Sequence, residues 1–217
     1  TQYFQFLRDY GALETGVRLL PVAISTGIAS VVGTVLAVRI GTKAVVSTGL
    51  LAAGVMFIWT SNVDLSTSYG EIAAQMVLFG IGMGFTTAPA TESIMGAVPE
   101  ANAGVGSGVN DTARELGGTL GVAVIGSVFA SLYAAGFDGA PAAVPAGAED
   151  SIAAGLAIAE QVGGAPGAAL AQLATSGFLD GLQAGCLVAG GVCIVGALAA
   201  LVLLPAQPAG EPAPQPA

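Results

Sequence analysis

Five long apolar stretches constrain the fold of this chain more than any other feature of its sequence. They run roughly over residues 16–38, 44–60, 72–95, 105–133 and 178–204. A membrane-spanning helix needs about 20 mainly apolar residues, and each stretch reaches or approaches that length. The sequence therefore predicts an all-α polytopic transmembrane bundle with about five spans and the lipid bilayer as its surroundings.

Charged residues are too sparse for a water-soluble fold of this size. Of the 217 residues, 54% are hydrophobic and 9% are charged, whereas soluble domains usually carry about 25% charged residues. A formal net charge of −9 argues against nucleic-acid binding, which needs cations to neutralise phosphates. Histidine is absent, which removes Ser-His-Asp and Cys-His catalysis and histidine-ligated zinc. We therefore expect no enzymatic activity, no cofactor and no metal.

Short connectors join the first four spans, so consecutive helices are expected to be antiparallel neighbours. The aromatic residues Tyr3, Phe4, Phe6 and Tyr10 are typical of the interfacial end of a further helix. This run, the odd number of spans and the missing initiator methionine favour the interpretation that the chain is part of a longer protein.

The orientation in the membrane follows from Lys and Arg near the span ends, which favour the cytoplasmic side. Arg39, Lys43 and Arg114 fall on one side, and Arg8 and Arg18 on the other. This distribution predicts that the connector after the first span and the C-terminus are cytoplasmic. The expected location is the cytoplasmic membrane, as a multi-pass protein.

Segment 134–177 is rich in Ala, Gly and Pro, contains acidic residues and has no Lys or Arg. We expect an extracytoplasmic loop with two short helices, one from Ser151 to about Val162 and one starting at Pro166. Both are too short to span, and such a pair would rest on the membrane surface. A partly disordered loop is the alternative. The tail 205–217 contains five prolines and is expected to be disordered and cytoplasmic.

The fourth span contains a charged cluster of Asp111, Arg114 and Glu115. On a helix the two acids share one face, and Arg114 would pair with Asp111 at i, i+3. Charges in hydrocarbon are costly, so such residues face a protein interior or a water-filled cavity. Protonation of one acid, linked to the position of Arg114, would suit a proton-coupled transporter. A structural ion-pair cluster near the membrane boundary is the alternative. Glu92 of the third span could pair with Arg114 or extend to the surface.

Glycine and proline indicate where helices pack closely or bend. Gly80, Gly82 and Gly84 precede Pro89, which removes a backbone hydrogen bond and kinks the third span. With Asn110 they are candidates for a cavity wall. In the fourth span, small residues four apart on one face would let a neighbouring helix approach closely. The members of this small-residue seam are Ala113, Gly117 and Gly121. Both patterns suit helices that rock and slide, and static close packing is the alternative.

The same stretches resemble the C-terminal part of a major facilitator superfamily transporter, in its fourteen-span drug:proton antiporter branch. The resemblance covers residues 1–204. It is carried by TQYFQ at the start, GVRLLP, GIGMG followed by PAT, and GVGSGVNDTARELGG. The last stretch is the most specific, since Arg-Glu-Leu-Gly-Gly after a glycine-rich helix start is rarely matched by chance.

A loop motif of the superfamily, G-x-x-x-D-R-x-G-R-K, is matched only in part. Arg39, Gly41 and Lys43 fit its Arg, its second Gly and its final basic position. Val38 stands where the motif has an acid, and Thr42 where it has an Arg. These departures argue against a gating ion pair at this loop.

The resemblance implies a function. The five spans would be the last five of fourteen, and the missing N-terminal helices would be their partner. The whole would export amphipathic organic compounds in exchange for protons, which accounts for drug resistance. A uniporter or symporter of the same fold is one alternative, and a non-transporting membrane assembly subunit is another.

Overall fold

The computed structural model describes residues 1–138, 145 and 147–204. Its α-helices are α1 (Ala12–Arg18), α2 (Leu20–Ile40), α3 (Thr42–Thr60), α4 (Tyr69–Ala97), α5 (Ala103–Ala135), α6 (Ile152–Val162) and α7 (Gly164–Leu203). A π-helical segment, Tyr3–Leu7, precedes α1, and a 3-10 turn, Glu100–Asn102, precedes α5. The tail expected to be disordered, 205–217, lies outside the described residues, as do 139–144 and 146 of the expected loop.

Five helical units in the described residues are long and apolar enough to cross a membrane. The first consists of α1 and α2 together, and the others contain α3, α4, α5 and α7. No strand occurs among the described residues. The prediction of an all-α polytopic bundle is therefore confirmed.

Proline and glycine set the two ends of α2. Pro21 lies in its first turn, where a missing N–H costs nothing and the fixed φ suits a helix start. Gly41 ends it with a φ of 94°, a conformation that glycine adopts readily and other residues do not. This single residue connects α2 to α3, so the chain reverses within one peptide unit.

Helix α4 lies between α2 and α3, and glycines bring the backbones close on both sides. A Cβ atom added to Gly80 would overlap the hydroxyl of Ser25 on α2. One added to Gly82 would lie 2.8 Å from the carbonyl oxygen of Gly49 on α3. Small residues therefore determine the position of α4 in the bundle.

The other side of α3 packs against α7, and α7 packs against α5. The α5–α7 contact uses the second half of α5, where a Cβ on Gly181 would lie 2.9 Å from the Phe129 ring. Helix α5 has few contacts with α4. The packing order is thus α2, α4, α3, α7, α5, and the first half of α5 stands apart.

The end of α5, helix α6 and the start of α7 enclose a small apolar core, which we call the cap. Its buried residues are Tyr133, Phe137, Ala148, Ile152, Ala159, Leu170, Ala174 and Phe178. The Tyr133 hydroxyl donates a hydrogen bond of 3.0 Å to the carbonyl oxygen of Ala148. The Ser151 hydroxyl caps α6 by accepting one of 3.2 Å from the backbone N–H of Ala154.

The cap corrects two expectations for this region. The second short helix, expected to start at Pro166, is the first part of the 40-residue helix α7. Its buried residues recur every three or four positions and continue without a break into the apolar span; they are Gly167, Leu170, Ala174 and Gly177. Helix α6 buries its apolar face against the start of α7, so this face is not free to contact a membrane surface as an amphipathic pair would.

The connection between α3 and α4 is ordered by one carboxylate. Oδ1 of Asp64 accepts hydrogen bonds from the backbone N–H groups of Ser66 and Thr67, at 2.8 and 2.9 Å. It also accepts from their hydroxyls, at 2.7 and 3.0 Å. These bonds, above all that from the Ser66 hydroxyl, hold the pKa of Asp64 below its ordinary value of 3.8.

Substituting Ser66→Ala should raise the pKa of Asp64 toward 3.8, because the largest cause of its lowering is removed. A lowered pKa means that the turn stabilises the fold above the ordinary pKa and loses this contribution as pH falls through the lowered one. A 13C NMR titration of the Asp64 carboxyl measures the change. Ser68→Ala is the control, since the Ser68 hydroxyl accepts from the Glu71 N–H instead. An equal shift in both variants would contradict the assignment.

Candidate functional site

Asp111, Arg114 and Glu115 lie in the first half of α5, and all three are exposed. Within the described residues the one salt bridge joins Arg18 to Glu14. The expected pairing of Arg114 with Asp111 is therefore not formed. On an exposed helix face such a pair contributes only about 0.2–0.5 kcal/mol, which is little against the entropy lost in ordering the long Arg114 side chain.

Two further polar candidates, Glu92 and Asn110, lie on α4 and α5. Glu92 is exposed near the end of α4 and forms no salt bridge with Arg114 in the described part of the chain. Asn110 is half-buried. The hydroxyls of Thr112 and Thr119 donate to the carbonyl oxygens of Gly108 and Glu115, at 2.7 and 2.8 Å, so these two side chains are satisfied within α5 itself.

No helix of the described chain covers the face that carries the charged cluster. Every residue from 111 to 120 is exposed, including the apolar Leu116 (59%) and Leu120 (64%). A lipid environment would leave three charged groups in hydrocarbon, which is costly. The charged cluster therefore lies on a polar face of α5 that no other described helix covers.

The expected small-residue seam on α5 is open in this structure. A Cβ atom added to Gly117 or Gly121 would have no other atom within 4 Å, and Ala113 is exposed. No described helix makes the close approach expected there. The seam belongs to the same uncovered half of α5 as the charged cluster.

Close approach occurs instead at the glycines of α4. A Cβ on Gly84 would lie 2.6 Å from the Cβ of Ala29, and Gly80 and Gly82 are equally enclosed. These three residues therefore lie in helix–helix contacts in this structure. Pro89 is buried within α4 and has no N–H to donate to the carbonyl group of Phe85.

An apolar groove of about 320 Å³ lies between α2 and α4, beside these glycines. Its lining consists of Ser25, Ile28, Ala29, Val32, Val77, Ile81 and Phe85. The Ser25 hydroxyl donates to the carbonyl oxygen of Pro21 at 2.6 Å, so it is satisfied within its own helix. The groove therefore offers a surface suited to apolar groups.

The loop between α2 and α3 contains the partial motif. Gly41 is needed there for its positive φ, which gives the motif glycine a backbone role. Arg39 is exposed and Lys43 is half-buried, and neither forms a salt bridge within the described part of the chain.

The opposite end of the bundle, which we call the α3–α4 end, holds a cluster that the sequence did not reveal. The guanidinium carbon of Arg18 lies 4.1 Å from the ring centroid of Tyr10 and 4.7 Å from that of Tyr69. Nη2 of Arg18 lies 2.7 Å from Oε1 of Glu14. The i, i+4 spacing of Glu14 and Arg18 could have predicted their pairing. No local signal links Tyr69 to a residue 51 positions earlier.

A second arginine, Arg8, makes further hydrogen bonds at the α3–α4 end. Arg8 donates to the carbonyl oxygen of Thr67 and, at 3.1 Å, to the hydroxyl of Tyr3. That hydroxyl donates to the carbonyl oxygen of Asp64 at 2.7 Å. The segment before α1 is thereby tied to the connection between α3 and α4. In the described residues no group of three His, Cys, Asp or Glu side chains could hold a metal ion.

Sequence comparison relates the chain to known resistance and export proteins. The chain is 28% identical over 84% of its length to the multidrug efflux pump LfrA of Mycolicibacterium smegmatis, covering 37% of that protein. It is 29% identical over 99% of its length to the tetracenomycin C resistance and export protein of Streptomyces glaucescens, covering 42% of it. The multidrug resistance protein Stp of Mycobacterium tuberculosis is 33% identical over 62% of the chain, which covers 25% of Stp.

The chain thus spans less than half the length of these curated relatives. Their names describe drug efflux, resistance and export, in agreement with the resemblance seen in the sequence. The Major Facilitator Superfamily profile matches residues 1–122, which include α1 to α4 and the charged half of α5. Together with the five helices able to span a membrane, this match shows that the chain belongs to the Major Facilitator Superfamily.

Proposed function

We propose that this chain is the C-terminal part of a proton-coupled multidrug efflux transporter. The whole transporter exports amphipathic organic compounds across the cytoplasmic membrane and has no enzymatic activity. Membership of the superfamily and the efflux functions named for its relatives support drug export. The observation that carries proton coupling is the exposed cluster of Asp111, Arg114 and Glu115 on a helix able to span the membrane.

The uncovered half of α5 supports a role for further helices. Charges within a membrane span need a polar partner or water, and no other described helix covers this face. We propose that helices found in the relatives outside the matched part pack against this face, with the small-residue seam allowing close approach. The acids would then bind and release protons in an enclosed, partly aqueous space between the two halves.

The proposal includes an orientation in the membrane. Arg39, Lys43 and Arg114 lie on one side, against Arg8 and Arg18 on the other, and by the positive-inside rule this distribution supports a cytoplasmic connection between α2 and α3. The cap and the α3–α4 end would then be extracytoplasmic. Exported compounds would leave at that side.

Arg114→Ala in the full-length transporter should abolish most proton-driven efflux while leaving membrane insertion intact. Without the guanidinium, no cation on this face opposes proton binding by Asp111 and Glu115, so proton release would no longer follow helix movement. Coupling free energies of about 1–3 kcal/mol correspond to about 5- to 150-fold effects, and we expect a fall within that range. Dye efflux from energised vesicles, with and without an uncoupler, measures it.

Ser127→Ala is the matched control, because Ser127 is an exposed polar residue of the same helix, beyond the charged cluster. It should transport dye as the parent does. Unchanged efflux in the Arg114 variant would remove the cluster from the mechanism. Uncoupler-insensitive efflux by the unsubstituted transporter would rule out proton antiport and favour a uniporter.

The open seam on α5 favours one alternative, a membrane subunit that assembles with copies of itself. Small residues on an uncovered helix face are typical of helix association in membranes. This alternative predicts self-association of the chain in detergent, and its loss on Gly117→Leu. A monomer at all concentrations would exclude it.

A further inference from the structure

We propose that Tyr10, Tyr69 and Glu14 form a binding site for organic cations at the α3–α4 end of the bundle, a site that Arg18 occupies in this structure. We call these three side chains the tyrosine box. The proposal rests on the proposed export function for its role in transport, and the binding it predicts can be measured separately.

The groups around Arg18 are those that recognise organic cations. Its guanidinium carbon lies 4.1 and 4.7 Å from the ring centroids of Tyr10 and Tyr69, well within the roughly 6 Å reach of a cation–π contact. Glu14 supplies a carboxylate oxygen 2.7 Å from Nη2. Aromatic faces of this kind also bind quaternary ammonium ligands, to which the guanidinium is here an internal counterpart.

The walls of the box are held by contacts that do not involve the guanidinium. The Phe4 ring, 3% exposed, stacks on Tyr10 with centroids 5.8 Å apart and lies 6.4 Å from Tyr69. The Tyr69 hydroxyl donates a hydrogen bond of 3.1 Å to the main-chain oxygen of Arg18. This bond does not depend on which side chain residue 18 carries. Both rings should therefore keep their places when the Arg18 side chain leaves.

The guanidinium of Arg18 lies at an open site. The side chain of Arg18 is 27% exposed and that of Glu14 is 49% exposed, so the box is open to a ligand from outside. Arg18 has a long side chain at the end of α1 and can withdraw by rotamer changes. With Arg18 inside, the charges of the box cancel. With Arg18 outside, the box keeps one uncompensated negative charge, that of the Glu14 carboxylate, beside two aromatic faces.

The second arginine at this end is not a rival occupant. The guanidinium carbon of Arg8 lies 5.6 Å from the centroid of a different ring, that of Tyr3. Arg8 also donates a hydrogen bond to the carbonyl oxygen of Thr67. In the proposed orientation the box lies on the side where exported compounds leave. A cation would bind there briefly, and return of the Arg18 guanidinium would displace it.

Binding of tetraphenylphosphonium to the full chain in lipid nanodiscs tests the proposal. Arg18→Ala should bind this cation about tenfold more tightly than the unsubstituted chain, because two aromatic faces and one carboxylate become free. Equilibrium dialysis with labelled cation gives both dissociation constants. Arg8→Ala is the matched control, since it removes the same charge from the same end without opening the box.

The gain in affinity for tetraphenylphosphonium must also depend on the aromatic ring of Tyr69. Arg18→Ala combined with Tyr69→Leu should return the affinity to that of the unsubstituted chain. No gain in Arg18→Ala, an equal gain in Arg8→Ala, or a gain that survives Tyr69→Leu would each overturn the proposal. Arg18→Gln keeps a polar side chain without its charge and provides the same test should the alanine variant fail to fold.

The outcome is independent of the proposed transport function. Absence of cation binding in a transporter that exports dye would overturn the tyrosine box alone. Tight binding by Arg18→Ala, beside a full-length protein that exports nothing, would uphold the box and overturn the export function.

Discussion

Adding a single methyl group at Gly80 is expected to destabilise the bundle by about 1–3 kcal/mol, the typical effect of overpacking. A Cβ atom there would overlap the Ser25 hydroxyl and lie 2.7 Å from the carbonyl oxygen of Val22. The carbonyl group belongs to the backbone of α2 and cannot turn aside. Helix α2 must therefore move away from α4, and the larger Gly80→Leu should prevent the two helices from packing at all. Thermal unfolding of the purified chain in detergent measures both effects.

Gly117→Ala provides the comparison within the same protein. A Cβ at Gly117 meets no other atom within 4 Å, so the added methyl group strains nothing in this chain. Surface substitutions of this kind usually change stability by less than about 0.5 kcal/mol. Equal destabilisation by Gly80→Ala and Gly117→Ala would show that α2 and α4 are not packed as described.

Leu170→Ala should loosen the cap by about 2–5 kcal/mol, the range for removal of a buried leucine side chain. Leu170 is 4% exposed and packs in the core formed with α6. Because α6 is a helix of 11 residues, too short to be stable by itself in water, it depends on this contact. Hydrogen–deuterium exchange of α6 should accelerate strongly, while exchange in α3 and α4 stays as it was.

Leu198→Ala is the matched change on the same helix. Leu198 is 57% exposed, so its truncation leaves no cavity within the chain. Exchange in α6 should be unaffected by it. If Leu170→Ala also left α6 unaffected, the cap would not be the folding unit that its buried core indicates.

Local properties of the sequence were enough to predict much of this fold. Apolar stretches long enough to span a membrane predict the five membrane helices, because the hydropathy of each residue is known without knowledge of its tertiary contacts. The start of α6 was also predictable, since Ser151 has a hydroxyl suited to capping a helix. Gly41 followed from a loop motif, and the structure adds the positive φ that makes glycine necessary there.

Features that depend on which surfaces meet could not be predicted in this way. The glycines of α4 and the seam of α5 have the same small-residue character, yet only those of α4 are in contact. The meeting of Tyr69 with Arg18 depends on how the end of α1 and the start of α4 are brought together in the bundle. The joining of residues 164–177 to the last span depends on the cap core, which supplies a buried face where the sequence alone looks like a loop.

Because α7 is one continuous helix, a small tilt of its axis produces a large displacement at its end. Its 40 residues give a length of about 60 Å at 1.5 Å per residue, twice the roughly 30 Å of the hydrocarbon core. One end carries the cap, and further along it contacts both α3 and α5. A tilt of about 10° pivoting near the far end would move the cap end by about 10 Å. A pair of spectroscopic labels on the cap could therefore report small rearrangements deep in the membrane as large, easily measured displacements.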